Sequence, residues 1–437
     1  MPISMMYKSL YTMMMIIITS FVLLCGSGSG GVSASKHEDN IGIYELNNGH
    51  FSVKLTNWGA TIISLLLPDK NGTLHTHILD SPFYVCFSLL LEFPIIFLVI
   101  TMYIEKINNQ SYIDMFFILR RMIQTPTKLT FLWKFADVVL GYDSVKTYKN
   151  DSTYFGAIVG RVANRIGGAQ FILNGTRYEL DANEQQNMLH GGHPGFSDVV
   201  WEVTKYTKDG EYPRIMFTYH SFDEEEGFPG DLKVMVTYSL VGKYKLSVKM
   251  VAESQNKATP VNLAQHTYWN LGGHDSGDIL TEKIQIFGSH ITPTNDQLIP
   301  TGRIVSVKGT PYDLLEPRVI KSKIKELTNG FDINYVLDGE KGKKMKRVAV
   351  VWDEKSGRSM RLTTDAPGVQ FYTGNNIEDV KGKGGYVYEA YAGLCLETQG
   401  FPDSVNHPNF PSQIVNPGQV YKHRMLFMFS IDQESKC

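Results

Sequence analysis

The sequence predicts an all-β protein, a large antiparallel β-sandwich with few short helices. Segments in which apolar and polar residues alternate recur along the chain, and turns rich in Gly, Pro and Asn separate them. Aromatic residues make up 12% of the 437 residues, a composition that suits strands. Alternation with a period of two indicates strands with one buried face, whereas helical periodicity is scarce. Many strands without intervening helices favour a sandwich over an α/β fold.

Individual elements follow from the same patterns. Residues 51–55 (Phe-Ser-Val-Lys-Leu) alternate as a half-buried strand should. Residues 233–240 and 245–251 alternate on either side of a short turn at Val241 and Gly242, which predicts a hairpin. Residues 347–352 and 359–364 predict a second hairpin around Lys355-Ser356-Gly357. The best short helix candidate is 320–327.

The N-terminus has the pattern of a secretory signal peptide over residues 1–34. Lys8 supplies a charged flank, residues 13–24 are an apolar run, and residues 32–34 (Val-Ser-Ala) offer a small-residue cleavage site. We therefore expect a secreted, extracellular protein. An uncleaved membrane anchor is the alternative, since apolar length alone does not decide cleavage.

Residues 35–437 are predicted to form one β-sandwich domain, interrupted by an atypical segment at about 75–134. Within it, residues 83–104 are nearly continuous apolar sequence, interrupted by Glu92 and Pro94. A single membrane crossing there would separate early strands from the partners they need. The segment is rich in Phe, Ile, Leu, Met, Tyr and Asn, as translated AT-rich noncoding DNA would be. We hypothesise a retained intron or gene-model error; a membrane-associated insertion is the alternative.

Charge and cysteine content exclude other classes of function. The net charge of −2 creates no field for attracting nucleic acid or anionic membrane, so no nucleic-acid partner is expected. Four cysteines are too few to form a disulfide framework for a domain of this size. Oligomeric state cannot be deduced from these features.

Two segments carry polar side chains that are suited to hydrogen-bond the hydroxyl oxygens of a ligand. Residues 160–166 (Gly-Arg-Val-Ala-Asn-Arg-Ile) set Asn164 beside Arg165, an amide and a guanidinium. Residues 189–193 (Leu-His-Gly-Gly-His) allow close backbone approach, and His190 can donate to an oxygen. His190 and His193 lack a third ligand at useful spacing, so no metal is predicted.

Two further segments carry candidates for acid–base chemistry. Residues 262–271 (Asn-Leu-Ala-Gln-His-Thr-Tyr-Trp-Asn-Leu) embed His266 among amides and aromatic residues, including Tyr268. Glu397 is predicted to end an apolar strand at 391–396 and to precede a proline-rich loop. A partly buried carboxylate at such a position is suited to act as a base. Taken singly, a histidine such as His266 is more often a core residue than a catalyst, and a glutamate such as Glu397 is more often a surface residue at a strand end.

Together these segments resemble the aldose 1-epimerase (galactose mutarotase) family, whose fold is a β-supersandwich. The resemblance covers residues 43–72 and then 136 almost to the C-terminus. It rests on the two blocks above at 160–166 and 189–192, the His266 block, residues 367–375 (Pro-Gly-Val-Gln-Phe-Tyr-Thr-Gly-Asn) and the Glu397 loop. Residues 330–335 (Gly-Phe-Asp-Ile-Asn-Tyr) depart from the family at Ile333, where histidine is common, and no acid or base role is assigned there.

The resemblance implies a cofactor-free isomerase acting on a small aldose. Glu397 would take the proton of the anomeric hydroxyl while His266 protonates the ring oxygen. His190 and Arg165 would stabilise charge near the ring oxygen and C1. Asn164, Tyr268, Asp313 and Gln370 would bind the sugar, with Asp313 assigned from the resemblance alone.

Two other functions are compatible with a β-sandwich. A glycoside hydrolase would need two carboxylates flanking the scissile bond, for which Asp313 and Glu397 are the obvious pair. In that case the His266 block has no role. A catalytically silent carbohydrate-binding module is the other alternative, because fold alone does not determine function.

Overall fold

The computed structural model describes residues 41–70, 135–339 and 345–432. The predicted signal peptide at 1–34 and the atypical segment at 75–134 lie outside the described residues. Among the helices of the described ranges, none is long and apolar enough to span a membrane.

The described residues form short and long strands with two brief α-helices. The helices are α1 (Val145–Tyr148) and α2 (Ile320–Ile324). The strands are β1 (Ile43–Asn47), β2 (Ser52–Thr56), β3 (Thr61–Pro68), β4 (Phe135–Asp137), β5 (Ile158–Val159), β6 (Arg165–Ile166), β7 (Gln170–Leu173), β8 (Thr176–Glu179), β9 (Met188–Leu189), β10 (Glu202–Thr207), β11 (Arg214–Ser221), β12 (Leu232–Leu240), β13 (Lys245–Ser254), β14 (Thr259–Pro260), β15 (Ala264–Gln265), β16 (Tyr268–Trp269), β17 (Lys283–Ile286), β18 (His290–Thr292), β19 (Val305–Ser306), β20 (Arg318–Val319), β21 (Asp332–Val336), β22 (Lys346–Asp353), β23 (Arg358–Thr364), β24 (Gly368–Tyr372), β25 (Val380–Lys381), β26 (Val387–Tyr388), β27 (Leu394–Gln399), β28 (Ile414–Val415) and β29 (Val420–Ile431).

Three antiparallel sheets make up most of the described fold. The largest has nine strands in the order β10-β11-β12-β13-β29-β23-β22-β17-β20. A six-stranded sheet has the order β16-β27-β24-β21-β18-β19, and β1 to β4 form a four-stranded sheet in chain order. The predicted all-β architecture is confirmed.

Both predicted hairpins are present. Strands β12 and β13 pair from Leu232 opposite Ser254 to Leu240 opposite Leu246. Strands β22 and β23 pair as the second predicted hairpin. Helix α2 starts where predicted but ends at Ile324, because the chain then turns, with the Leu327 amide donating to the Ile324 carbonyl (3.0 Å).

The core lies between the two larger sheets. In β12 every second side chain is buried, as the alternating sequence requires. These side chains belong to the same apolar cluster as Leu396 of β27 and Phe371 of β24, so both sheets contribute to one core. Each large apolar side chain that is fully buried stabilises the fold by about 1.5–3 kcal/mol.

Strands β3 and β4 are neighbours in space although the atypical segment separates them in sequence. Pro68 pairs with Phe135, Leu67 with Ala136 and Leu66 with Asp137. The chain therefore leaves β3 and enters β4 at directly opposite positions. This is the arrangement expected if the atypical segment is an insertion in the connection of the β3–β4 hairpin.

The six-stranded sheet has one apolar and one polar face, and the polar face positions the site. Cross-strand partners in an antiparallel sheet project from the same face. Leu396, Phe371 and Ile333 form a row on the apolar face, which joins the core. On the opposite face one row contains Tyr268, Cys395, Tyr372 and Asp332, and the next contains Glu397, Gln370, Asn334 and Thr292.

Candidate active site

Glu397 lies in the middle of the polar face. The sequence placed it at the end of a strand, whereas it lies inside β27, because strand pairing with β24 continues to Gln399. The side chain is 2% exposed. Its Oε2 atom has no hydrogen-bond partner within the described part of the chain. Because buried polar atoms nearly always have a hydrogen-bond partner, the unpaired oxygen indicates a position where a ligand can supply one.

His266 faces Glu397 from the short link between β15 and β16. Its backbone is fixed on both sides: its amide donates to the Ala157 carbonyl (2.8 Å), and its carbonyl accepts from the Gly156 amide (3.0 Å). The imidazole Nε2 lies 3.5 Å from Glu397 Oε1. On the other side of the ring, Nδ1 lies 3.8 Å from the Sγ of the buried Cys395. The fold thus brings the two predicted catalytic residues together.

His190 lies beside His266, with the two rings nearly perpendicular and their centres 5.0 Å apart. The amide of Asn164 donates to His190 Nδ1 (3.2 Å), so the neutral ring carries its proton on Nε2. Both residues have left-handed backbone conformations, with φ of 54° for His190 and 61° for Asn164. Asn164 Oδ1 in turn accepts from the Arg165 amide (2.9 Å). Asn164 therefore orients both His190 and Arg165.

Arg165 presents its guanidinium to carboxylates on two sides. Nε and Nη2 donate to the two oxygens of Glu184 at 2.6 and 2.7 Å. Nη1 lies 3.9 Å from Asp332 Oδ2. The side chain is 11% exposed, so these ion pairs are largely shielded from solvent.

Asp332 is a site residue that the sequence analysis missed. It accepts a hydrogen bond of 2.6 Å from Gln370 Nε2, and it stands on the polar face beside Arg165. The signal was present in residues 332–336 (Asp-Ile-Asn-Tyr-Val), where polar and apolar residues alternate so that Asp332 and Asn334 share one face. A pair of polar residues on one face of a mostly buried strand indicates a ligand-facing surface.

Asp313, by contrast, is held in a turn before α2. Its Oδ1 accepts from the Leu315 amide (3.3 Å), and its Oδ2 accepts from the Gly309 amide (3.4 Å). These contacts stabilise a turn and do not direct the carboxylate to Glu397. The carboxylate that the structure brings to the polar face is Asp332.

Tyr268 is buried against the site rather than exposed in it. Its ring centre lies 5.2 Å from that of His266 and 4.9 Å from that of Phe155. Tyr154 contacts both histidines, with ring centres 4.7 Å from His190 and 5.7 Å from His266. The aromatic rings therefore fix the two imidazoles in place.

Burial dominates the electrostatics of the acid–base pair. Desolvation raises the pKa of Glu397 well above its usual value; Asp332 raises it further, and Arg165 opposes the shift. Desolvation lowers the pKa of His266 to about 4. Burial, together with the neighbouring His266 and Arg165, holds the pKa of His190 well below its usual value. The buried environment thus favours the uncharged form of all three groups.

Three side-chain oxygens in one row of the polar face lack partners among the described residues. They are Oε2 of Glu397, Oε1 of Gln370 and Oδ1 of Asn334, and all three residues are at most 4% exposed. Oxygens without protein donors can accept hydrogen bonds from a ligand with several hydroxyls.

One potential metal-binding arrangement exists in the described ranges. His190, His266 and Glu397 each offer a ligand atom, and these atoms lie within 4.8 Å of one another. His190 Nδ1 already accepts from Asn164, which leaves Nε2. The prediction that no metal is required stays a prediction.

Among the described residues, a buried carboxyl group stands opposite a histidine on a polar sheet face with unpaired acceptors, an arrangement that suits acid–base chemistry on a hydroxylated ligand. Comparison with known proteins identifies the family. The profile of the aldose 1-epimerase family matches residues 129–428. The chain belongs to the aldose 1-epimerase family and is an isomerase.

Named relatives support this assignment along most of their lengths. The galactose mutarotase of Bos taurus is 44% identical over 298 residues, covering 68% of this chain and 84% of the relative. The aldose 1-epimerase of Escherichia coli is 31% identical over 300 residues, covering 67% of this chain and 85% of the relative. An aldose epimerase homologue from C. elegans shares the fold, with a TM-score of 0.70, 24% identity, and coverage of 89% of this chain and 99% of that one.

Proposed function

We propose that this protein interconverts the α and β anomers of aldohexoses such as galactose and glucose, with Glu397 as base and His266 as acid. The observation that carries the proposal is the buried Glu397–His266 pair, with 3.5 Å between Oε1 and Nε2. An acid and a base on one substrate must lie within hydrogen-bond reach of adjacent substrate atoms. The anomeric hydroxyl and the ring oxygen are both bonded to C1, so a closely spaced pair suits them.

The reaction proceeds by opening and closing the sugar ring. Glu397 removes the proton from the C1 hydroxyl, the C1–O5 bond breaks as the C1–O1 carbonyl forms, and His266 gives its proton to O5. Rotation about C1–C2 exposes the other face of the aldehyde. The steps then reverse, so that O5 attacks C1, His266 takes back its proton and Glu397 returns its proton to O1.

The pair has the protonation needed for this cycle. The uncharged pair carries one proton, on the Glu397 carboxyl, because burial favours the neutral forms. Transfer of that proton to His266 gives a carboxylate base and an imidazolium acid. The Arg165 guanidinium favours the carboxylate form of Glu397, and its positive charge is therefore placed to support the reactive state.

Neighbouring residues would bind and orient the sugar. His190 carries its proton on Nε2 when neutral and would donate it to a sugar oxygen, while Arg165 would stabilise charge that develops near C1. Gln370 and Asn334 would accept from ring hydroxyls through the oxygens that lack protein donors. Asn164 acts mainly by orienting His190 and Arg165. The names of the mammalian relatives support galactose as one substrate.

The other two functions are not favoured. A glycoside hydrolase would need a second carboxyl group opposite Glu397. Asp313 is held in its turn, and Asp332 already accepts from Gln370 and faces Arg165. A silent sugar-binding module would not need a buried acid–base pair.

The experiment is polarimetry of fresh α-D-galactose with the purified protein. We expect the approach to anomeric equilibrium to be faster than the spontaneous rate, with no reducing sugar released from oligosaccharides. An unchanged rate with both galactose and glucose, in a folded preparation, would refute the proposal.

We also propose that residues 1–34 direct secretion and are removed. The support is the sequence pattern of a charged flank, an apolar run and small residues. Expression in a secretory host and determination of the N-terminus would test this. A secreted protein that begins near Ser35 is expected, whereas a retained protein with an intact apolar run would favour a membrane anchor.

A further inference from the structure

The guanidinium of Arg165 is held at its outer edge by a single carboxylate. Glu184 accepts from Nε at 2.6 Å and from Nη2 at 2.7 Å, a two-point contact that fixes both the position and the plane of the guanidinium. Nη1 is left pointing towards the polar face, where it lies 3.9 Å from Asp332. Glu184 itself is 30% exposed in its side chain, so it lies at the outer edge of the site.

The loop that carries Glu184 is itself restrained. The Asn183 side chain accepts from the Leu189 amide (2.7 Å) and donates to the Leu189 carbonyl (2.9 Å), which closes the loop. The Glu184 and Asn187 backbones exchange two hydrogen bonds of 3.1 and 2.9 Å. Leu189 is also the strand partner of Arg165 in the pairing of β6 with β9. Glu184 and Arg165 are thus parts of one braced unit.

We propose that Glu184 is a positioning residue that fixes Arg165 in the orientation needed to stabilise the carboxylate form of Glu397. Without this clamp, the flexible arginine side chain would turn towards solvent and its charge would move away from the acid–base pair. The proposal rests on the function proposed above, in which Glu397 acts as the base. It assigns Glu184 no contact with the sugar.

Charged and titratable groups from several elements surround the two residues. Tyr154 and His190 lie near Arg165, and Cys395, Tyr268 and Tyr372 lie near Glu397; burial favours the uncharged form of each of these groups. Arg165 is faced by Glu184 from the loop, by Asp332 from β21 and by Glu397 from β27. Burial alone would lower the pKa of Arg165, but these carboxylates raise it. Glu397 is faced by Asp332, Arg165 and His266. Of these groups, Arg165 is the one that favours ionisation of Glu397 by its fixed positive charge.

This arrangement gives opposite predictions for two roles of Glu184. If Glu184 positions Arg165, its replacement by Gln moves the positive charge away, and the acid limb of kcat/KM shifts to higher pH. If Glu184 only balances charge, Arg165 stays in place with more unneutralised charge, and the acid limb shifts to lower pH. The acid limb reports protonation of the Glu397–His266 pair in the free enzyme. Moving a positive charge away eases that protonation and adding net positive charge opposes it, so the two cases are distinguishable.

The experiment measures kcat/KM for galactose mutarotation against pH in Glu184→Gln, Arg165→Gln and the double variant. We expect both single variants to shift the acid limb to higher pH and to lose roughly 10- to 100-fold in kcat/KM, the scale typical of a misplaced group. The double variant should lose no more than Arg165→Gln alone, because Glu184 acts through Arg165. An acid limb that is unmoved or shifted to lower pH in Glu184→Gln would overturn the proposal, as would additive losses.

Matched variants separate positioning from folding and from the function itself. Glu184→Asp cannot reach both nitrogens and should give a smaller shift in the same direction. Glu179→Gln removes an exposed glutamate that faces Arg177 at 3.6 Å and should change neither rate nor profile. Glu397→Gln tests the base directly: if it stays active the proposed function fails, whereas normal profiles in Glu184→Gln reject only the positioning role.

Discussion

Replacement of Glu397 by Gln removes the proposed base with almost no change in shape. Gln keeps one side-chain oxygen and the same length, so the strand pairing of β24 with β27 and the row formed by Gln370 and Asn334 should persist. An amide cannot accept a proton at neutral pH. The substitution therefore separates loss of chemistry from loss of structure.

The expected loss of rate follows from the role of a general base. Such a group contributes about 10²- to 10⁴-fold, which corresponds to roughly 3–5 kcal/mol of the activation barrier. Because Glu397 is buried and His266 alone cannot remove the anomeric proton while donating its own, we expect a loss near the upper end for kcat. Binding should change little, because an amide still pairs with hydroxyls.

The same substitution should stabilise the fold at neutral and alkaline pH. The pKa of Glu397 is raised by burial above its unfolded value, so its contribution to stability is fully present below the unfolded pKa. That contribution is lost as the pH rises through the folded-state pKa. Gln does not ionise and escapes this loss. The free energy of unfolding of the variant relative to wild type should thus increase as the pH rises above about 4.5.

Polarimetry with α-D-galactose measures the rate, and urea unfolding at several pH values measures stability. Glu354→Gln is the matched control, because Glu354 is 72% exposed and pairs with Lys283 at the surface; both quantities should match wild type. A Glu397→Gln enzyme with wild-type kcat would refute the assignment of the base. A variant that loses stability as the pH rises would refute the electrostatic reasoning.

Three further predictions concern other parts of the molecule. His266→Gln should lower kcat by about 10²- to 10⁴-fold. Burial lowers the pKa of His266 to about 4, so the wild type loses up to roughly 3 kcal/mol of folding free energy between pH 6.5 and pH 4, and the variant should not. Equal acid sensitivity of the two proteins in urea unfolding would contradict this. Asp332→Asn should shift the acid limb of kcat/KM to lower pH, because the Asp332 carboxylate raises the pKa of Glu397. Asp313→Asn should leave the pH profile unchanged, because Asp313 is held in its turn. The reverse outcome would make Asp313 the site carboxylate. Deletion of residues 75–134 should preserve both the fold and the mutarotation rate, because Pro68 and Phe135 are already strand partners. Circular dichroism would measure the fold and polarimetry the rate, and a loss of either would show that the segment is essential.

The fold class and the central pair of residues could be predicted from the sequence because their signals are local. Alternation alone located the hairpin of β12 and β13. The sequence around His266 and Glu397 made both residues candidates, and the family resemblance assigned their roles. The position of Glu397 within its strand was wrong by a few residues, since the polar residues after Leu396 hide the fact that pairing with β24 continues.

Asp332 and Glu184 could not be placed in the same way. Both residues act through contacts with Arg165. Asp332 is far from Arg165 in sequence, and Glu184 lies in an irregular loop. Hydrophobic periodicity carries no information on such contacts. Asp313, named from the resemblance alone, is occupied by its own turn. An alternating strand that places Asp332 and Asn334 on one face was the available clue.

The buried position of Glu397 and His266 also has a consequence for exchange with the solvent. In the proposed cycle, each proton that leaves one of the two residues during ring opening returns to it during ring closure. The protein ends every turnover in the state in which it began, so no proton has to enter or leave through bulk water. The enzyme should therefore run at the same rate whatever the concentration or identity of the buffer, unlike the spontaneous reaction, which depends on external acids and bases.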